Sequence, residues 1–559
     1  MRPGAKNRRS LFMRPVAYIK QHITIPATFG NRCSQPFEWY TIPPRVQSLT
    51  ILLFVLMNLI LCVCSYQLTD DNLYWPEKST QLLRYVSDRT GILSLANFPL
   101  VWLFGMRNDA LMWITGWGFG TYNAFHRWVA RVATLQAVMH SLGYTLMIVK
   151  RGGWPDFCKY LTQHYFWNGE LATVAMSALL LFSLYGIRRS YYEIFLVTHI
   201  VLSVVALWTM YYHVELFPAG EYNIFLWPCL AIWLIDRGLR AGRIFAFNRN
   251  FCDNQATVSY DSGSNLLRME VDGSRNWLQP APGTYYYIYV LDDMLYAHQS
   301  HPFTLAYTTT TPDMSIAAPL TPLSPMSNRP SPEDRTFLSD ESSDESDAFL
   351  AASHTGSRAR RRCHLVFLIR PYDGFTSRLK SHCLLHGKKL RVLLEGPYGH
   401  SHRIHRFPHV LFIVGGTGIA VALSHMARLL SPSSRAQAIR IVWAVRQHAF
   451  LASILRDLAG VLGDARVDMA VHVTRESEGE SESESEGLGA QVKKSVRIVA
   501  TRPHVSAVVE QAAEEAGPSR LAVIACGPAS MADEARRASV EMLGRGYWGV
   551  EYFEESFKW

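Results

Sequence analysis

Four histidines stand in two pairs, His126/His140 and His199/His213, each pair 14 residues apart and each inside an apolar stretch. On an α-helix 14 residues are nearly four turns, so both members of a pair lie within about 40° on one face, about 21 Å apart along the axis. Two such helices side by side would hold two haems stacked across a bilayer, each gripped by one imidazole from each helix. Two imidazoles saturate the iron, which suits electron transfer rather than oxygen binding. A single histidine at bilayer depth is commonly a hydrogen-bonding link between helices, but two pairs with one spacing and matching depth point to ligands. Arg107, Arg127 and Arg131 sit near one end of this array. They would meet haem propionates there, or snorkel to lipid phosphates.

The elements that position these residues are membrane helices. The chain has 559 residues, 49% of them hydrophobic, yet its mean hydropathy is only +0.02. An apolar first half is being averaged with an ordinary globular second half. Six apolar segments are readable, at about 49–66, 91–105, 123–149, 171–187, 191–213 and 222–236. Residues 1–48 hold eight basic side chains and one acidic, and no apolar core of signal-peptide length follows in the first 30 residues. Lys/Arg bias therefore puts both termini in the cytosol, His126 and His199 nearer the inner face and His140 and His213 nearer the outer. The net charge of +9 flanks apolar segments, which argues against nucleic acid and for membrane lipid. Nine cysteines form no CxxC pair and no zinc-like cluster. Outer acids such as Asp70, Asp71, Asp156, Glu170, Glu215 and Glu221 are candidates for attracting metal cations, or simply solvated charges.

After Arg243 the pattern changes. Short alternating strands such as TVSYD, LLRMEV and TYYYIYV, separated by turn residues, predict an antiparallel β-barrel. From 409 onward strands alternate with helices, which predicts an α/β parallel sheet. Residues 308–361 and 475–488 are Ser-, Pro- and Glu-rich and are expected to be disordered inserts. The expected organisation is a basic segment 1–48, a haem-binding helical domain 49–240, a barrel 244–400 carrying the first insert, and a nucleotide domain 401–559 carrying the second. In the last, Gly415, Gly416, Thr417 and Gly418 follow the strand VLFIV and open a helix, where backbone can approach a pyrophosphate and the helix N-terminus favours its charge. Cys526 and Gly527 follow the strand LAVIA in the same way.

These residues together carry a resemblance. The stretch FHRWVARVATLQAVMH at 125–140, with GMRND upstream, resembles the ferric reductase transmembrane domain, and is nearer the fungal ferric-chelate reductases than the NADPH oxidases of the same architecture. TIPATFGNR at 24–32 and IPPRVQSL at 42–49 resemble the same group, whose members often carry a further N-terminal helix and outer segment with no counterpart here. HPFT, EGPYG, GGTG, CGPASM and the terminal FKW, in that order, resemble a ferredoxin-reductase-like FAD/NADPH module. The resemblance implies that His301, Pro302, Phe303 and Thr304 lie against the flavin, and that Arg370, Gly374, Phe375 and Thr376 meet the FAD pyrophosphate. It implies that Cys526 and Gly527 lie beside the nicotinamide and that Trp559 or Phe557 covers the flavin at rest; Cys526 and Trp559 are the candidate catalytic residues. Arg446 is placed to pair with a 2′-phosphate, favouring NADPH, with a surface strand-end charge as the alternative.

Nicotinamide gives two electrons at once, whereas haem and ferric iron each take one, so a flavin is the required converter. The expected route is NADPH to FAD, to the His126/His199 haem, to the His140/His213 haem, to an acceptor outside. The leading expectation is a multi-pass ferric-chelate reductase of the plasma membrane, with FAD, two b-type haems and NADPH as cofactors. Its acceptors would be ferric chelates or siderophores, with cupric ions a second class, and a resemblance-based partner is an iron permease/multicopper oxidase system. The rival is a superoxide-generating NADPH oxidase. A third reading, a non-enzymatic membrane scaffold, sits badly with four ligands and both nucleotide motifs retained.

Overall fold

A computed structural model of the chain describes residues 14–35, 42–248, 254–272, 280–292, 296–312, 361–372, 374–386, 389–474 and 496–555. The second insert, nearly all of the first, and the terminal Phe557 and Trp559 lie outside these residues. The ends of the first insert, 308–312 and Arg361, are strand rather than disordered, because 308–312 pair antiparallel with 361–365.

Six long helices match the six apolar segments: α1 (Arg45–Val63), α2 (Lys78–Phe104), α3 (Phe119–Leu161), α4 (His164–Phe182), α5 (Tyr192–Val214) and α6 (Asn223–Phe247). By length and composition α1, α3 and α5 are apolar enough to cross a membrane. The others carry polar residues that are turned inward: Gln81, Ser87, Thr90, Ser94 and Asn97 on α2, Asn168 on α4 and Asp236 on α6 are all buried. Within a bundle such groups are tolerated because other helices satisfy them. Asn97 Nδ2 donates to Asn58 Oδ1 (2.9 Å) and Gln136 Oε1 (3.0 Å), and Gln136 Nε2 donates to Asn58 Oδ1 (3.1 Å), which ties α1, α2 and α3 together.

The helix boundaries differ from the expected ones. α2 begins at Lys78 rather than near 91, so Arg84 and Arg89, which precede the apolar segment, are helical. α3 continues past 149 to Leu161 across a kink at Gly153, whose φ of 72° suits glycine. α4 starts at His164 and stops at Phe182, and Tyr185–Ser190 forms a separate short helix. α6 runs to Phe247, a ring in the core of the next domain, so bundle passes into barrel through one continuous helix.

The barrel is closed and antiparallel, in the order β1-β2-β5-β4-β3-β6: β1 (Gln255–Asp261), β2 (Leu266–Asp272), β3 (Tyr285–Val290), β4 (Ser300–Pro312), β5 (Arg361–Ile369) and β6 (Lys389–Tyr398). Alternate residues of β1 and β2 point inward, as a two-residue period demands, around Leu267, Met269, Tyr286, Ile288 and Phe367. Helix α7 (Phe375–His386) lies between β5 and β6. The last domain is a parallel sheet in the order β10-β9-β8-β7-β11-β12: β7 (His409–Gly415), β8 (Ala438–Val445), β9 (Val467–Val473), β10 (Val496–Val499), β11 (Leu521–Cys526) and β12 (Val550–Glu554). Helices α8 (Ile419–Leu429), α9 (His448–Leu462), α10 (Val505–Ala516) and α11 (Ala529–Gly544) cover its faces. Both faces are apolar cores, which is why its central strands read as continuous apolar runs.

Candidate functional site

Helices α3 and α5 bring the histidines together in the expected pairs. The His126 and His199 ring centroids are 6.1 Å apart, and those of His140 and His213 are 6.0 Å apart. Two imidazoles sharing one metal at a metal–nitrogen distance of about 2 Å would have centroids roughly 6 Å apart. The back of each ring is held. His126 Nδ1 lies 2.8 Å from Val101 O, His140 Nδ1 2.8 Å from Ser87 O, His213 Nδ1 2.9 Å from Tyr165 O, and His199 Nδ1 3.4 Å from Ser183 Oγ. A proton on Nδ1, donated to the carbonyls behind His126, His140 and His213 or to the hydroxyl behind His199, leaves the Nε2 lone pair for a metal.

Two residues that sequence reasoning passed over build this geometry. A Cβ on Gly91 of α2 would fall 2.5 Å from His140 Nδ1, and one on Gly169 of α4 would fall 2.4 Å from His213 Nδ1. Each glycine gives a ligand ring room to reach the backbone behind it. A glycine inside a helix costs about 1 kcal/mol relative to alanine, and that oddity is the signal that was available. The ring spacing, the held Nδ1 atoms and the glycine clearances all fit haem.

The inner pair lines a cavity of about 2550 Å³, beyond the roughly 300–1,000 Å³ of a single small-ligand site. Arg127, Arg131 and Arg188 line it too, with Tyr285, Tyr398, His402, Phe553 and Glu555 from the cytosolic half. Arg188 was not anticipated. Arg107 lines the cavity as well and ties it to the barrel: its Nη1 donates to Glu395 Oε1 (3.2 Å) and its guanidinium lies 3.5 Å from the Tyr287 ring centroid. Glu395, fully buried, also accepts from Arg240 (2.8 and 3.1 Å), Tyr289 (2.5 Å) and Tyr398 (2.7 Å). Burial would raise its carboxyl, but hydrogen bonding from Arg240 and the charge of Arg107 win and hold it at about 2. Arg378 of α7 adds a second tie, donating to Glu193 at the start of α5 (3.0 Å).

The structure gathers the flavin motifs on one side of the barrel. His301 and Phe375 stack with centroids 4.4 Å apart, and Phe303 is 6.2 Å from Phe375. Burial pushes His301 down to about 4, so it is neutral at physiological pH. Pro302 faces Tyr287 and Thr304 faces Tyr285 across the β3–β4 pair. Arg370 is half-buried just beyond β5, and Gly374 takes φ of 71° before α7. Thr376 Oγ1 accepts from Tyr372 N at 2.8 Å, which closes the turn. That turn leads into the N-terminus of α7, a geometry favourable to an anion.

The two glycine motifs also meet. A Cβ on Gly418 would lie 2.3 Å from Cys526 O, and one on Gly527 would lie 2.9 Å from Gly415 N. Gly416 has φ of 54°, and Trp443 Nε1 donates to its carbonyl (2.9 Å). These residues, Thr417 among them, sit at the carboxyl ends of β7 and β11, where the strand order reverses and α/β sheets bind ligands. Burial, with Glu555 and Glu554 adding, pushes the Cys526 thiol up, so it stays protonated. Arg446 is exposed just past the end of β8, the neighbouring strand. Among the described residues no group of three or more His, Cys, Asp or Glu side chains could hold a metal ion, and Asp70 pairs instead with Lys78 (2.6 Å).

Comparison with known proteins agrees with this geometry. Residues 90–210 match the family described as ferric reductase like transmembrane component, 252–322 an FAD-binding domain, and 407–540 the ferric reductase NAD binding domain. The chain is therefore a membrane oxidoreductase with ferric reductase, FAD-binding and NAD-binding domains. Within that class it is similar to the fungal ferric reductases. It is 28% identical to ferric reductase transmembrane component 5 of Saccharomyces cerevisiae over 565 residues, covering 97% of this chain and 71% of that protein. It is also 28% identical to ferric/cupric reductase transmembrane component 1 of Candida albicans over 575 residues, covering 97% and 67%. Among solved structures, the CS-b5R domains of human Ncb5or are similar at 13% identity and a TM-score of 0.34, covering 54% of this chain and 68% of that one, a likeness too distant to carry an argument.

Proposed function

We propose that the protein is a transmembrane ferric-chelate reductase. It draws electrons from cytosolic NADPH and delivers them to ferric chelates or siderophores outside the cytosol, with cupric ions a second acceptor class. The observation that carries this reading is the pair of facing imidazole couples at 6.1 and 6.0 Å on the same two helices. When bound, FAD converts the two-electron hydride into single electrons, and two b-type haems carry single electrons through about 30 Å of hydrocarbon.

In this proposal His126 and His199 ligate the inner haem, His140 and His213 the outer one. Arg127, Arg131 and Arg188 offset negative charge in the cavity beside the inner pair. His301, Pro302, Phe303 and Thr304 bound the flavin; Arg370, Gly374, Phe375 and Thr376 hold its pyrophosphate. Gly415, Gly416, Thr417 and Gly418 let the protein backbone approach the nicotinamide cofactor's phosphates, Gly527 lies beside the nicotinamide, and Arg446 reads the 2′-phosphate. Cys526, a neutral thiol, shapes the nicotinamide position and is not a nucleophile; Trp559 keeps its proposed place over the flavin. Glu555, half-buried with Glu554 beside it, is pushed up to about 8, which lessens the negative charge it brings to the cavity at neutral pH. Both termini cytosolic, a plasma-membrane location and supply of an iron permease/multicopper oxidase system complete the proposal.

The test uses sealed vesicles with an impermeant ferric chelate on one face and NADPH on the other. Chelate reduction that persists without oxygen and with superoxide dismutase is expected. Reduction abolished by dismutase would make the protein an oxidase instead.

A further inference from the structure

The basic segment before α1 packs onto the nucleotide domain. Ala17 and Ile25 are buried in the same apolar core as Leu411, Val509, Val523 and Ala535. The carboxylate of Asp533, on α11 and 3% exposed, is wrapped by backbone from this segment. Its Oδ1 accepts from Cys33 N (2.9 Å) and Ser34 N (2.7 Å), and its Oδ2 accepts from Gln35 N (3.1 Å) and Gln35 Nε2 (3.2 Å). Arg536 Nη1 donates to Ile25 O (3.2 Å), Ser34 Oγ to Glu554 Oε1 (2.5 Å), and Lys20 pairs with Glu551 (3.2 Å).

The other end of the segment is tied to the bundle. Arg45 at the start of α1 donates to Ala27 O (3.0 Å) and His22 O (3.0 Å), and Thr28 Oγ1 donates to Pro43 O (2.6 Å). Gln47 of α1 donates to Thr121 of α3 (2.9 Å), the helix that carries His126 and His140. Ile25, Thr28, Cys33 and Ser34 also line the cavity that holds the inner histidines and Glu555.

We infer that residues 17–35 are a strap that fixes the nucleotide domain to the membrane bundle and walls the electron-transfer cavity, with Asp533 as its anchoring residue. Asp533 is a positioning residue that acts through the strap. A buried carboxylate filled by three consecutive main-chain donors is specific to this docked arrangement, because an unbound chain presents no such set of N–H groups. The functional consequence rests on the reductase reading above. With the strap released, the cavity opens to solvent and NADPH oxidation runs partly to dioxygen: NADPH + 2 O2 gives NADP+, H+ and two superoxide ions.

Two variants of the full-length, membrane-embedded protein test this: Asp533→Ala, and Ser34→Pro, which removes two strap donors, the Ser34 N–H to Asp533 and the Oγ–H to Glu554, without changing a residue of the nucleotide domain. The first readout is maleimide labelling of Cys33, 1% exposed in the docked strap, mapped by peptide mass. The rate is expected to rise at least tenfold in both variants. The second readout is external ferric ions reduced per NADPH consumed. It is expected near two in the parent and at least threefold lower in the variants, with flavin and haem content unchanged. Asp533→Glu is expected to recover part of both. Cys33 remaining protected in both variants, or a ratio still near two, overturns the strap. A parent that labels as expected but reduces no external iron would instead overturn the reductase reading.

Discussion

His140 is bonded behind to Ser87 O and faces His213 in front. His140→Leu is expected to reduce external ferric reduction at least 100-fold while NADPH-driven flavin bleaching under anaerobic conditions persists. Survival of external activity would mean that the outer site is assigned wrongly. Gly91→Ala probes the same ring without removing a ligand. Its Cβ would sit 2.5 Å from His140 Nδ1 and 2.8 Å from Cε1, so the ring must tilt. Loss of one of two low-spin haem signals, with the inner one kept, is the expected spectrum. Arg446→Ala is expected to raise KM for NADPH about tenfold, the loss of one exposed charge-assisted contact, and to leave NADH turnover unchanged. Equal effects on both cofactors would reject the 2′-phosphate role.

Elements are held in register by the Glu395 clamp, which joins α6 and the loop before α3 to β3 and β6 of the barrel. Glu395→Gln leaves Arg107 and Arg240 buried without a full counter-charge, and should cost about 3 kcal/mol. Thermal unfolding of the detergent-solubilised protein reads it, and the barrel is expected to become accessible to protease before the bundle. Acid should act likewise. The folded-state pKa of about 2 lies below the ordinary 4.5, so the clamp's contribution is complete above about pH 5 and is lost as pH falls toward 2. That amounts to about 3 kcal/mol. A stability profile flat over that window in the parent, or equally steep in Glu395→Gln, would contradict the assignment. By contrast the amide network of Asn58, Asn97 and Gln136 is expected to be worth only about 1 kcal/mol, since interhelical bonds in membranes average less than that.

At the scale of the whole molecule the cavity matters most, because it places the inner histidines, a set of arginines that includes Arg127, Arg131 and Arg188, the barrel tyrosines Tyr285, Tyr287 and Tyr398, and the end of β12 around one space. The sidedness that follows is measurable. NADPH added to inside-out vesicles should drive reduction of a chelate trapped within, and NADPH added to right-side-out vesicles should drive none. Reduction in both orientations would refute electron passage across the membrane.

The sequence alone was enough for what depends on local period and spacing. Fourteen-residue spacing places two histidines on one helix face whatever surrounds it, and the alternation in TVSYD and LLRMEV makes half-buried strands. Glycine after an apolar strand likewise marks a nucleotide turn. Contacts between distant residues were beyond it. Nothing near Arg107 announced Glu395, nearly three hundred positions away, so the tie of this guanidinium to the barrel was not legible locally. Gly91 and Gly169 had meaning only once α2 and α4 were laid against the ligand rings. The basic stretch read as mere topology became a strap because tertiary folding presents its main-chain N–H groups to Asp533, and main-chain donors are the same in every sequence.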